Sequence, residues 1–129
     1  MSVGPTAYLV NKLLDHTFRN VVYTPPAVVY VKMHTGDPGA AGANNASAQT
    51  TRIATSWSAA ASGLINISGT PENTLNATET ISHVSFWDAL GPAGGNCLWT
   101  AQATVSKSGA NLDIIRITSV QLGFTGLAA

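Results

Sequence analysis

The chain is predicted to fold as a mainly β protein: an antiparallel β-sandwich, jelly-roll-like, of about seven or eight strands preceded by one N-terminal α-helix. Three observations carry this. Runs rich in β-branched and aromatic residues recur from Val28 onward, Gly-, Pro-, Asn- and Ser-rich turns separate them, and a three-to-four-residue apolar period occurs near the N-terminus alone. With 129 residues, 45% of them hydrophobic, the chain has material for one core, so residues 1–129 are expected to form a single domain.

The helix is expected over residues 5–22. Pro5 suits a first helical position, and Ala7, Val10, Leu14 and Phe18 trace one apolar face that Leu9 and Leu13 widen. Asn11, Lys12, Asp15 and Arg19 lie mostly opposite, with Asp15 and Arg19 spaced to pair. Thr24-Pro25-Pro26 must end it, because consecutive prolines remove backbone donors and impose extended geometry.

Val28 to His34 reads as the first strand. Val29, Val31 and Met33 share one face; Val28, Tyr30 and Lys32 share the other, which calls for cover by the helix or a neighbouring subunit. His34-Thr35-Gly36-Asp37-Pro38-Gly39 closes it, with Gly and Pro stopping the pairing and Asp37 able to fold back on the local backbone. A polar loop over residues 36–51 follows. It lacks core-forming side chains, so it is expected to be a mobile surface loop or an arm ordered by a neighbour.

Beyond it, Ile53, Thr55 and Trp57 alternate with polar or small residues, and Ile65 and Ile67 point inward from residues 64–68. A turn at 69–71 and a weak strand near 73–78 precede the run 81–89. Gly91-Pro92-Ala93-Gly94-Gly95 makes a hairpin, from which Cys97, Trp99, Ala101, Ala103 and Val105 return facing inward. After a turn at 107–111, residues 112–124 are expected to form one long strand with a bulge near Ile114-Ile115; Ile115, Ile117 and Leu122 should be core.

Composition excludes several functions. Formal net charge is zero and 9% of residues are charged, against roughly 25% in an average domain. Lys12, Arg19, Lys32, Arg52, Lys107 and Arg116 are scattered and balanced by acids, which argues against nucleic-acid binding. A surface so poor in charge favours association. Cys97 stands alone and reads as a small core residue rather than a reactive thiol. No signal-peptide pattern or membrane span is present, so synthesis in a cytoplasm is expected and the sequons at Asn45, Asn66 and Asn76 are taken as compositional.

No catalytic residue, cofactor or metal site is expected. His34 and Asp37 could in principle share a metal, but two residues do not make a site, and no serine lies in a nucleophile motif. Trp57 and Trp99 are read as core or interface; Trp87, beside His83 and Ser85, is the one that could stack on a sugar. The candidate partner-contact residues are Leu9, Leu13, Leu14, Phe18, Tyr30, His34, Asp37 and Trp87.

Leu14-Asp15-His16-Thr17-Phe18-Arg19-Asn20, Tyr23-Thr24-Pro25-Pro26, Val28-Tyr30-Val31, the His34–Gly39 turn and Ile81-Ser82-His83-Val84-Ser85-Phe86-Trp87-Asp88 resemble, in that order, the small tailed-phage virion proteins called tail fibre or minor tail proteins. The resemblance spans most of the chain and is weaker around residues 69–80. It implies a non-enzymatic β-sandwich module, made in a host bacterial cytoplasm, that self-associates and joins other virion proteins. Two alternatives stand beside it: a capsid decoration protein binding the major capsid shell, and a carbohydrate-binding module that attaches to host surface glycan through Trp87 and His83.

Overall fold

The computed structural model describes residues 3–124. In chain order the elements are β1 (Gly4–Pro5), α1 (Ala7–Arg19), β2 (Tyr30–His34), β3 (Ile53–Ala54), β4 (Ser56–Trp57), β5 (Leu64–Ser68), β6 (Glu72–Thr74), β7 (Glu79–Trp87), β8 (Cys97–Gly109), β9 (Ile114–Arg116) and β10 (Gln121–Gly123). The protein is mainly β, with one helix and antiparallel pairing between its strands.

A five-stranded sheet ordered β1-β8-β7-β2-β3 is the frame. Over one of its faces lie a three-stranded sheet, β10-β5-β4, and a two-stranded one, β6-β9. Trp57 of β4 meets Phe86 of β7 edge-on at 5.4 Å, and Met33 and Ile81 pack with Leu75 and Ile115. This is the sandwich core. Burying Phe86 alone contributes about 1.5–3 kcal/mol.

The helix is shorter than the expected 5–22. Gly4 and Pro5 pair with Thr100 and Trp99 as a strand, so Pro5 cannot open the helix. Thr6 does so instead: its Oγ1 accepts from Leu9 N–H and donates to Cys97 O at 2.6 Å, while its N–H donates to Leu98 O. At the other end Asn20 adopts a left-handed conformation (φ 56°) with its N–H on Asp15 O, stopping the helix before the prolines. The expected Asp15–Arg19 pair is present at 3.0 Å.

The 36–51 segment is pinned by its own chain rather than awaiting a neighbour. Asn44 N–H donates to Pro38 O, Thr35 N–H to Asn45 O and Ser47 N–H to Met33 O. Asp37 Oδ1 accepts from Gly39 N–H at 2.8 Å, the side-chain turn expected of Asp before Pro. Ser47 is further held by Glu79. Pro38 and Ser47 are fully buried, so the segment covers the second face of β2 that helix or neighbour was expected to cover.

Residues 112–124 are not one strand. β9 and β10 belong to different sheets, and the segment between them moves the chain from one to the other. Ile115 is core; Ile117 and Leu122 are half-buried. The expected bulge lies in β8 instead, where Ile81 pairs with Lys107 and His83 with Gln102. Residues 103–106 therefore bow outward, leaving Ala103 and Val105 exposed rather than inward. The ten described strands exceed the expected seven or eight, because several are only two or three residues long.

Candidate functional site

Two regions concentrate chemistry, one polar and buried, the other apolar and open. The polar one lies on the sheet face beneath the 36–51 segment. Alternation along β2 sends Lys32 and His34 to that face; pairing of Lys32 with Ser85 and His34 with His83 brings the matching residues of β7 beside them. Trp87 continues the β7 row. His34 has no exposed surface and Trp87 is 8% exposed.

His34, Ser85 and Trp87 form a directed relay. His34 Nδ1 lies 2.8 Å from Asn44 O, which can only accept, so Nδ1 carries the proton. In the neutral ring Nε2 then accepts from the Ser85 hydroxyl at 2.7 Å, and Ser85 Oγ accepts from Trp87 Nε1–H at 2.7 Å. Burial, with Lys32 and His83 nearby, holds the His34 pKa below its ordinary value despite the opposing hydrogen bond to Asn44. Ser85 is fully buried too, so this serine–histidine pair has no access to a substrate and acts as a strut between the 36–51 segment and β7.

Beside the relay, the Arg52 guanidinium lies 4.0 Å from the Trp87 ring centroid and Lys32 Nζ 5.8 Å from it. Arg52 Nη1 donates to Ala89 O and Gly94 O, tying down the 91–95 hairpin that Asp88 closes through both its oxygens on Asn96. Gly42 packs on the opposite edge: a Cβ there would stand 2.5 Å from Cys97 Sγ. Burial pushes the Cys97 thiol up to about 11, so it is uncharged at neutral pH. Among the described residues no group of three or more His, Cys, Asp or Glu is placed to hold a metal.

The apolar region is the helix and the opening beneath it. No residue of α1 is buried; Leu14 is 51% and Phe18 80% exposed, and Val22 just beyond is 83% exposed. An amphipathic helix with a solvated apolar face is incomplete as it stands. Leu9, from the same helix, reaches an opening of about 390 Å³ between the sheets, lined also by Trp57, Leu64, Phe86, Trp99 and Phe124.

The candidate contact residues thus divide. Leu14 and Phe18 are exposed, Leu9, Leu13 and Tyr30 half-buried, and Asp37 is half-buried in the turn. His34 and Trp87 are enclosed by their own chain, which removes them from any partner surface. It also removes Trp87 and the buried His83 as a sugar-stacking platform, since stacking needs an open ring face. Lys32 and Arg52 were missed; their like-charged juxtaposition depends on strand pairing across the 36–51 segment, which spacing along the chain does not reveal.

A family model described as "Podophage GP4 fiber I protein gp80" matches residues 4–125. No curated protein matches the chain significantly. No described helix is long and apolar enough to cross a membrane.

Proposed function

The chain belongs to the podophage GP4 fibre I protein gp80 family, a tail-fibre type of virion protein, and from that premise we propose that it is a non-enzymatic fibre component assembling with copies of itself and with neighbouring fibre or tail proteins. The observation that carries this is the uncovered apolar surface of α1. Leu14 and Phe18 stand in solvent on a chain with zero formal net charge, so no net like-charge repulsion opposes contact between copies. The pairing of β1 with β8 supports reading residues 1–129 as one domain; synthesis in the host bacterial cytoplasm belongs to the same proposal and rests on the family alone.

The test combines Leu14→Asp with Phe18→Asp. Both side chains are exposed, so the fold should persist while the protein disappears from purified particles and its mass in solution, measured by light scattering, falls to that of one chain. Normal incorporation and an unchanged mass would count against assembly through the helix. Labelling in virions distinguishes the fibre position from the capsid-decoration alternative, which predicts label on the shell.

A further inference from the structure

We propose that Lys32 and Arg52 form a binding site for one small oxyanion, a carboxylate or a phosphate-like group, against Trp87. Register places the two cations together. Tyr30 pairs with Ala54 and Val31 with Ile53; just past that pairing Lys32 and Arg52 both reach over the Trp87 ring, at 5.8 Å and 4.0 Å from its centroid. Like charges so placed repel, and here they are also removed from water: Lys32 is 8% and Arg52 2% exposed.

Nothing in the described structure neutralises both. The ion pairs among the described residues, Asp15–Arg19 and Glu72–Arg116, involve neither cation. Asp88 is in electrostatic reach of Arg52 but forms no ion pair with it; its carboxylate holds Asn96 across the hairpin. Cys97 nearby is a thiol rather than a thiolate. Arg52 Nε is buried with no partner among the described residues, and Lys32 Nζ, outside both of those ion pairs, lies over the same Trp87 ring.

A buried donor without an acceptor and two adjacent cations in no ion pair among the described residues both call for an anion, which would offset the repulsion and satisfy donors at once. A planar carboxylate or a tetrahedral oxyanion meets that chemistry; a neutral sugar does not. The site is independent of the assembly surface on α1.

The experiment follows thermal unfolding of the full chain in sodium phosphate, sulfate and acetate against sodium chloride at equal ionic strength. The expected result is a saturable rise in midpoint of a few degrees over chloride. Acetate against phosphate tells a planar from a tetrahedral ligand. In Lys32→Met the anion-dependent rise should vanish, while the midpoint in chloride should increase because the repulsion is gone. Absence of any rise over chloride, or a rise retained in Lys32→Met, would overturn the site. Should the variant fail to fold, the Arg52 Nε–H resonance of the unmodified protein decides: it should shift saturably with the stabilising anion, and a fixed resonance would exclude the site.

Discussion

His34 Nε2 and Ser85 Oγ, 51 positions apart, meet at 2.7 Å in a fully buried contact that fastens the 36–51 segment to β7. Because Ser85 Oγ also accepts from Trp87, one hydroxyl satisfies two buried nitrogens. Ser85→Ala should leave both without a partner and cost roughly 2–6 kcal/mol, from about 1–3 kcal/mol per stranded group. Urea unfolding followed by tryptophan fluorescence measures it; a loss under about 0.5 kcal/mol would mean that the relay contributes nothing.

The same histidine makes stability depend on pH. Its folded pKa lies below the ordinary 6.5, so the unfolded chain takes up a proton that the folded one refuses. Stability is therefore full above pH 6.5 and declines as pH falls toward the folded value. His34→Gln, with an amide in place of the ring, should flatten that decline between neutrality and mild acid; an unchanged slope would show that His34 is not its source.

Gly42 sits at φ +68°, with Cys97 Sγ and Trp87 where a side chain would go. Gly42→Ala combines an unfavourable backbone with a clash and should destabilise by about 1–3 kcal/mol. A change in tryptophan emission at folding conditions would accompany it, because Trp87 must shift.

Cys97 should be inert in the native protein. Buried and with its thiol held at about 11, it should react with a maleimide or aromatic disulfide reagent only as fast as the chain opens. Rapid stoichiometric labelling under native conditions would refute this.

Local signals fared well where local chemistry decides. The Asp15–Arg19 pair, the Asp37 side-chain turn, the strand at 64–68, the burial of Ile115 and, shifted two residues toward the N-terminus to Glu79–Trp87, the strand expected at 81–89 all follow from spacing or residue type. What escaped was non-local. Pro5 looks like a helix opener until Trp99 and Thr100 claim its neighbourhood for a strand, and residues 36–51 look loose because their anchors, Met33, Glu79 and Cys97, lie elsewhere in the chain. At the candidate site the apolar stripe of the helix was legible, whereas the meeting of Lys32 and Arg52 over Trp87 exists only once β2 and β3 have paired.

The Thr6–Cys97 hydrogen bond also imposes an order of events. The helix leaves the ribosome before its anchors at Cys97 and Leu98, which emerge about 90 residues later, some 5–20 s at about 5–20 residues per second. For that interval Leu14 and Phe18 hang on an undocked segment. Only when β8 has formed does the apolar face of the helix take a fixed direction relative to the sheets, so the orientation of that face is the last-made feature of a segment synthesised early relative to its anchors.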